Sequence, residues 1–376
     1  MNRELIVFGE DWGGHPSSTQ HLISRLIEQY RVIWVNSIGL RRPRLCRRDL
    51  ARMGQKLKQM LSAASPRPSN SSELQPQVVA PRVLPLPGSS TARQLNSYLL
   101  QKALLPLLNG RQDARPLLWT SLPSAVDVVG KLGEAATVYY CGDDFSTLEG
   151  VDHAPVVEME QELADKADLI LAASPTIAAR FPQDKTTLLN HGVDYELFSS
   201  PTVKAADLPQ SHAPVVGFYG SIAGWLDQDL ILAAAKALPA WQFVFIGAPQ
   251  VDTSAMATVR NIHLMGPRPH EALPRYVQHW DISILPFRNN AQIEACNPLK
   301  LREYMAAGTP IVSSNFPALR GYRDLIRIAE TPESFVNALR HARTEPESFR
   351  SARQQRVAPE SWQARANSVA ELLNTL

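Results

Sequence analysis

Short apolar runs alternate with longer amphipathic stretches along most of the chain, and this alternation limits the fold more than any other feature. Five runs in the first half have the length of buried strands: 5–8, 32–35, 117–119, 137–140 and 169–172. Five more follow in the second half: 215–219, 242–246, 262–264, 282–285 and 310–313. Helical patterns lie between them: 19–28, 93–108, 156–166, 228–237, 270–279, 299–306, 332–342 and 361–376. Such alternation favours parallel sheets covered on both faces. We therefore predict an α/β protein with two Rossmann-like domains.

The boundary between these domains is predicted where prolines interrupt any periodic pattern. Pro201, Pro209 and Pro214 fall between the two strand series. We predict an N-terminal domain over 1–198, a C-terminal domain over 199–360, and a terminal helix in 361–376 that packs back toward the N-terminal domain. A second stretch rich in proline and serine, 64–90, is interpreted as a mobile loop within the first domain.

Composition narrows the classes of function. With 38 basic and 36 acidic residues the net charge is +2, which argues against a nucleic-acid binder that relies on bulk positive charge. The three cysteines are widely spaced and form no CxxC motif, so a disulfide framework or zinc site is not expected. No apolar window reaches the roughly 18 residues that span a bilayer. The sequence indicates a cytoplasmic protein that at most lies on a membrane surface.

The most specific motif lies in residues 297–312, where a predicted helix begins at Pro298 and ends at Gly308. Lys300 and Glu303 are three residues apart, so both project from one face near the helix start. The lysine can neutralise a phosphate with help from the N–H groups of the first turn. The glutamate can accept hydrogen bonds from two vicinal ribose hydroxyls. The pair therefore indicates a nucleoside-diphosphate site, against the alternative of a surface ion pair.

A glycine-containing segment opens the second strand series and offers further donor contacts. Gly220 and Ser221 directly follow a predicted strand, which suggests phosphate binding. A nicotinamide cofactor is disfavoured because the spacing is not GxGxxG and no acidic residue ends the next strand. Asp227 and Asp229 spell DxD, but they open a helix, and capping is the favoured role.

Two segments of the first domain carry candidate acceptor-side residues. Asp143 and Asp144 come directly after a predicted strand, and one of them could act as general base if burial or a neighbouring charge raised its pKa. The alternative is a helix cap or a solvated turn. The loop that contains Gly13, Gly14 and His15 precedes a helix, and its N–H groups could attract an anion or sugar hydroxyls. An ordinary glycine turn explains this loop equally well.

Together these segments resemble the GT-B glycosyltransferases, in particular the retaining family 4 and relatives in exopolysaccharide and teichuronic-acid synthesis. The resemblance covers most of the chain. The matching positions are 18–22, His191–Asp194 with histidine in place of asparagine, Phe198, Gly220–Ser221, Pro298, Lys300, Glu303, Tyr304, Ala306, Gly308 and Pro310. One departure is that many members carry two glutamates eight positions apart, whereas Ala295 takes the first place here and Glu294 lies one position off. A subgroup with this variant includes a membrane-associated, inverting glucuronosyltransferase, so the stereochemical outcome stays open.

This resemblance implies a GT-B fold whose two domains face each other across a cleft. It implies sugar transfer from a UDP- or GDP-linked donor to a glycan or lipid-linked acceptor in bacterial surface or exopolysaccharide synthesis. The donor would bind Gly220, Ser221, Pro298, Leu299, Lys300 and Glu303, and the acceptor Gly13, Gly14 and His15 beside Asp143 or Asp144. No metal and no cofactor are expected. The alternatives are a GT-B nucleotide-sugar 2-epimerase and a non-catalytic GT-B binding subunit.

One further segment suggests a membrane partner. Residues 41–58 carry eight basic residues and one acidic residue, with apolar side chains partly at helical spacing. We predict that this segment docks on anionic lipid, although a solvated helix face is the simpler explanation.

Overall fold

The computed structural model describes residues 3–14, 17–38, 75–108, 115–148, 151–209 and 212–376. They belong to two compact units. The first comprises residues 1–171, 181–187 and 376, and the second comprises 172–180 and 188–375. His15 and the basic segment 41–58, both singled out above, lie outside the described residues.

Parallel strands form the core of the first unit, as predicted. The sheet contains β1 Arg3–Phe8, β2 Tyr30–Val35, β3 Gln77–Val79, β4 Leu117–Thr120, β5 Ala136–Cys141, β6 Leu169–Ala172 and β7 Thr186–Leu188. Their order in the sheet is β3-β2-β1-β4-β5-β6-β7. β1 pairs in parallel with both β2 and β4, so Leu5 lies between Val32 and Leu117. This is the doubly wound order, in which ligands bind beyond the carboxyl ends of the strands.

The second unit has a similar sheet. It contains β8 Val215–Tyr219, β9 Gln242–Ile246, β10 Ile262–Leu264, β11 Ile282–Leu285, β12 Ile311–Ser314 and β13 Arg327–Ala329. The order is β10-β9-β8-β11-β12-β13, with parallel pairing from β8 to β9 and from β8 to β11. A Cβ atom on Gly217, in the middle of β8, would lie 1.9 Å from the Trp280 ring. This glycine therefore serves packing within the core.

Helices cover these sheets. In chain order they are α1 Ser18–Leu26, α2 Ser90–Leu104, α3 His153–Lys166, α4 Pro175–Ala178, α5 Tyr195–Ser199, α6 Gln228–Ala237, α7 Ser254–Ala257, α8 Pro274–Val277, α9 Ala291–Ala295, α10 Leu299–Ala307, α11 Pro332–Ala342, α12 Ser348–Val357 and α13 Trp362–Leu373. Side-chain caps fix several starts: Ser17 accepts from the N–H of Gln20, and Asp227 accepts from the N–H of Leu230. Capping is thus the observed contact of the first aspartate of the DxD sequence. No described helix is both long and apolar enough to cross a membrane.

The structure differs from the sequence interpretation at the following segments, among others. Residues 77–79, predicted to belong to a loop, form the edge strand β3. Residues 270–279, predicted as one helix, form the 3-10 turn His270–Ala272 and the short helix α8, because Pro274 cannot continue the hydrogen-bond ladder of a preceding helix.

The segment before residue 199 groups with the second unit for a physical reason. Asn297 donates to the carbonyl of Ala173 at 2.6 Å and to Oδ1 of Asn190 at 3.0 Å. Val193 also pairs with Ser361 next to α13. These contacts tie residues from three parts of the chain to the same unit, so its limits differ from the single cut predicted at 198.

Candidate active site

The beginning of α10 brings the two residues of the strongest motif together. Pro298 occupies the N-cap position, and the helix ends at Gly308, which adopts the left-handed conformation with φ of 78°. Lys300 consequently lies on the first turn, where the free N–H groups favour anions, and Glu303 begins the second turn. Leu299 is the first helical residue, and Gly220 and Ser221 follow the carboxyl end of β8.

Lys300 crosses over the backbone at the end of β8. Its Nζ atom lies 5.8 Å from the centroid of the Phe218 ring and 5.7 Å from that of Trp225, within the range of cation–π attraction. Loss of hydration lowers its pKa, while the nearby carboxylate of Glu303 acts in the opposite direction. A cation that is poorly hydrated and held by aromatic rings is well suited to pair with a diphosphate.

Gly220 makes this position of the lysine possible. It adopts φ of +128°, which favours glycine, and a Cβ atom there would lie 2.1 Å from Cε of Lys300. The close contact places the ammonium group directly above the turn after β8. A glycine is therefore needed after β8 because the side chain of Lys300 occupies the space beside it. Sequence spacing alone did not reveal this reason.

Glu303 is buried, with 8% of its surface exposed, and is held by residues from other elements. Its Oε2 atom accepts a hydrogen bond of 2.6 Å from the hydroxyl of Tyr219, and Nε2 of His270 lies 4.0 Å from Oε1. Burial and the adjacent carboxylate raise the pKa of Tyr219 well above its ordinary value, so the phenol stays protonated and donates. A carboxylate oxygen has two lone pairs, which leaves Glu303 acceptor capacity for a diol.

A buried polar network supports the start of α10. Arg302, which is 2% exposed, donates from Nε to Oε2 of Glu360 and from Nη1 to Oδ1 of Asn297, both at 2.7 Å. Glu360 also accepts from the hydroxyl of Tyr322 at 2.7 Å. Because Asn297 directly precedes Pro298, these bonds fix the backbone from which Lys300 projects.

A cavity of the second unit adjoins this site. It has a volume of about 820 Å³ and lies beyond the carboxyl ends of β11, β12 and β13, with Arg288, Asn315 and Arg320 among its lining residues. Lys300 and Glu303 do not line it. The Trp225 ring, which contacts Lys300, packs against Phe287 of the cavity wall at a centroid distance of 5.2 Å.

In the first unit, the loop after β1 uses its own N–H groups. The N–H of Gly13 donates to Oε1 of Gln20 at 3.2 Å, and that of Gly14 donates to the carbonyl of Asp11 at 3.1 Å. Gly13 adopts φ of +73° with no atom within 4 Å of an added Cβ. A ligand could therefore come close to the backbone at Gly13. To bind these N–H groups, however, an anion would have to replace their hydrogen bonds to Gln20 and Asp11.

The two adjacent aspartates, Asp143 and Asp144, have different surroundings in the structure. Asp144 accepts at Oδ1 from the N–H of Ser146 at 3.0 Å and from its hydroxyl at 2.6 Å, which is the geometry of a capped turn. Asp143 keeps contact with solvent, but the protein around its carboxyl removes part of its hydration. This loss, together with the negative charges of Glu10 and Asp144, raises the pKa of Asp143 to about 6.

Glu10 is a residue of this region that sequence reasoning missed. It follows β1, and its Oε2 atom accepts from the hydroxyl of Ser17 at 2.8 Å. Its charge acts on Asp143, which follows β5, because β1 and β5 end at the same edge of the parallel sheet. Tyr219 and His270, the partners of Glu303, were also missed. No group of three or more potential metal ligands was found among the described residues.

Comparison with known proteins finds similarity to glycosyltransferases. Residues 213–344 match the family model described as Glycosyl transferases group 1. Over 241 residues the chain is 29% identical to TuaH of Bacillus subtilis, which is assigned to teichuronic acid biosynthesis as a glycosyltransferase. This match covers 57% of the chain and 60% of TuaH, so it spans less than two thirds of that relative.

Solved structures show the fold over the whole chain. HepE of Anabaena in complex with UDP-glucose superposes with a TM-score of 0.70 at 13% identity, covering 100% of both chains. Sucrose-phosphate synthase of Thermosynechococcus elongatus gives 0.68 at 16% identity, covering 100% of this chain and 99% of that one. The predicted GT-B fold and the predicted resemblance to glycosyltransferases are both confirmed.

Proposed function

We propose that this chain is a glycosyltransferase that transfers a sugar from a UDP- or GDP-linked donor to a glycan or lipid-linked acceptor, an activity that its GT-B fold and its match to the group 1 family model support. We place this reaction in the synthesis of a bacterial surface polysaccharide or exopolysaccharide. The observation that carries the proposal is the group at the start of α10, where Lys300 lies over Gly220 and Glu303 is held by Tyr219.

The proposed donor chemistry follows from charge. When the bond from the sugar to the diphosphate breaks, negative charge develops on the leaving phosphate oxygen. Lys300 and the N–H groups of the first turn of α10 would stabilise that charge more strongly than the charge of the intact donor, which is how a binding group lowers a barrier. Glu303 would accept hydrogen bonds from the ribose hydroxyls and thereby orient the nucleotide.

The proposed acceptor chemistry uses Asp143. A carboxylate whose pKa is raised to about 6 is ionised at neutral pH yet basic enough to take a proton from an attacking hydroxyl. Asp144 would shape the turn that carries it, through the bonds to Ser146. Gly13, Gly14 and His15 would bind the acceptor. This arrangement serves an inverting transfer directly, and a retaining outcome would give Asp143 another role.

The structural similarity to HepE, which was solved with UDP-glucose, favours a UDP-linked donor. The relation to TuaH favours an acceptor in cell-wall polysaccharide synthesis. We propose further that the protein works at the cytoplasmic membrane surface, with residues 41–58 facing anionic lipid, and that transfer needs neither a metal nor another cofactor.

The test is an assay of nucleotide release with UDP- and GDP-sugars, with and without a bacterial lipid extract, in the presence of a chelator. Transfer of label to lipid or glycan supports the proposal. Interconversion of the donor with its 2-epimer without any acceptor would instead identify an epimerase. If no donor is bound or consumed under any of these conditions, the chain is a non-catalytic binding subunit.

A further inference from the structure

A partly exposed tryptophan, Trp12, lies in the loop that follows β1. Its indole ring packs at 62° against the ring of Trp34, with the two centroids 4.7 Å apart. Trp34 is fully buried in β2, so it supports the Trp12 ring from within the unit while Trp12 itself remains accessible to solvent. The structure thus presents an aromatic surface at the carboxyl edge of the sheet, which is the edge where ligands of this fold bind.

Hydrogen bonds to the loop after β2 fix the backbone around Trp12. The N–H of Trp12 donates to Oδ1 of Asn36 at 3.0 Å. The preceding residue, Asp11, accepts at Oδ1 from the N–H of Ser37 at 3.1 Å and from its hydroxyl at 2.8 Å. On the other side of Trp12, a Cβ atom added to Gly13 would have no atom within 4 Å, so there is room beside the ring. A ring that is already held in place loses little conformational freedom when a ligand stacks on it.

Carboxylates occupy the same edge of the sheet. Residues 9–14, 36–38, 121–122 and 142–148 directly follow β1, β2, β4 and β5, and neither lysine nor arginine occurs among them. They do contain four acids: Glu10, Asp11, Asp143 and Asp144. A phosphate group would be repelled here, whereas the hydroxyls of a sugar can donate hydrogen bonds to carboxylate oxygens. The chemistry of this edge therefore favours a neutral sugar as the nucleophile.

Trp12 and the candidate base Asp143 lie well apart along this edge. Trp12 follows β1 and contacts β2, and these strands are two and three positions from β5, which Asp143 follows. Neighbouring strands are about 4.8 Å apart, so the separation is roughly 10–14 Å. One pyranose ring is too short to bridge such a distance, whereas two or more linked rings match it.

We propose that the acceptor is an oligosaccharide of at least two sugar units, whose terminal sugar reacts beside Asp143 while another sugar stacks on Trp12. The C–H groups on one face of a pyranose are attracted to the negative face of the indole ring. Glu10 accepts hydrogen bonds from hydroxyls of the same acceptor. This inference rests on the proposed function and narrows its acceptor.

The transfer step has a defined balance. A hydroxyl oxygen of the terminal sugar forms a bond to the anomeric carbon of the donor sugar, and the bond from that carbon to the diphosphate breaks. The hydroxyl proton passes to Asp143, and the nucleoside diphosphate leaves with the bonding electrons. Because the acceptor already contains linked sugars, another glycosyl transfer must build them before this protein acts.

The first experiment measures the size of the product. The full chain is incubated with labelled UDP- and GDP-sugars and a bacterial lipid and glycan extract, and labelled glycans are released from lipid by mild acid and sized by mass spectrometry. We expect every labelled glycan to contain at least three sugars, one of them transferred. A labelled product of one or two sugars would overturn this proposal and leave the proposed transfer intact. If no acceptor is labelled at all, the proposed function fails, and this proposal fails with it.

The second experiment tests Trp12 itself. We expect Trp12→Ala to raise the KM for the acceptor about tenfold with the donor affinity unchanged, and Trp12→Phe, which keeps an aromatic ring, to recover most of that loss. Trp241→Ala is the matched control, because it changes another partly exposed tryptophan in the second unit. Circular dichroism checks the fold, and Trp12→Leu replaces Trp12→Ala if the latter does not fold. The stacking on Trp12 is refuted if the acceptor KM stays at the wild-type value or rises equally in Trp241→Ala.

Discussion

A Cβ atom on Gly220 would lie 2.7 Å from Nζ of Lys300, so the lysine occupies space that every residue except glycine would fill. The relationship joins the loop after β8 to the first turn of α10, two elements about 80 positions apart in sequence. Because Gly220 has no side chain, the ammonium group of Lys300 can lie close to the backbone at the end of β8, and this defines the shape of the candidate donor site.

Gly220→Ala should therefore weaken donor binding as well as the fold. The φ of +128° and the clash with Cε of Lys300 predict a loss of about 1–3 kcal/mol in the free energy of unfolding. We expect nucleotide affinity to fall about tenfold or more as the ammonium group moves. The matched control is Gly130→Ala, where φ is +81° but no atom lies within 4 Å. Equal nucleotide affinity in the two variants would contradict the role given to Gly220.

Tyr219→Phe tests how Glu303 is held. The variant removes a buried hydroxyl that donates at 2.6 Å, and we expect the free energy of unfolding to fall by about 1–3 kcal/mol. Donor affinity should fall too, because Glu303 loses the partner that orients it. Tyr139→Phe is the control, since its hydroxyl donates at 2.7 Å to the buried Glu160 in the first unit. Denaturant titration and calorimetry should show a stability loss in both variants but an affinity loss only in Tyr219→Phe.

The two aspartates should differ when each is changed to asparagine. Asp143→Asn should keep donor affinity and reduce turnover by about 100-fold or more, as expected on loss of a general base. Asp144→Asn should keep most of the turnover, because its observed contacts with Ser146 are those of a turn. Steady-state measurement of kcat and KM for both variants tests which aspartate is the base. The assignment fails if Asp144→Asn is the slower enzyme or if both retain wild-type turnover.

The acidic limb of the pH–rate profile should report Asp143. A base acts only when it is ionised, so kcat/KM should rise with pH up to about 6 and level off above it. Glu10→Gln removes a negative charge that helps raise this pKa, and the limb should move to lower pH. Lost hydration, the larger cause, remains in that variant, so the shift should be partial. Asp11→Asn, in the same loop, should leave the apparent pKa of the acidic limb unchanged. An apparent pKa that stays the same in Glu10→Gln would argue against an electrostatic effect of Glu10 on Asp143.

Particular elements show which parts of the fold the sequence could predict. The central strands β1, β8 and β11 are apolar runs that are buried on both faces, and their positions were confirmed within about two residues. The strands β3, β7 and β13 were missed. Each has only three residues, lies at the edge of its sheet and is partly exposed, so its hydrophobic pattern is weak. The edge strand β10 is equally short but was predicted.

The candidate site shows the same limit. The helix that carries Lys300 and Glu303 could be predicted because Pro298 and Gly308 mark its ends locally. The bond from Tyr219 to Glu303 could not, since it joins residues 84 positions apart. The influence of Glu10 on Asp143 likewise exists only after two strands meet at one sheet edge. Neither pairing has a signal in local spacing.

The most direct test of the account is calorimetry of UDP and GDP binding to the wild type and to Lys300→Met. Methionine has a long, unbranched apolar side chain and removes the charge that lies near the Phe218 and Trp225 rings. We expect one of the two nucleotides to bind the wild type and its affinity to fall about 10–150-fold in Lys300→Met, the range of a lost charge-assisted hydrogen bond. Lys236→Ala, on the exposed side of α6, should bind as the wild type does. A folded Lys300→Met variant with unchanged nucleotide affinity would contradict the central claim.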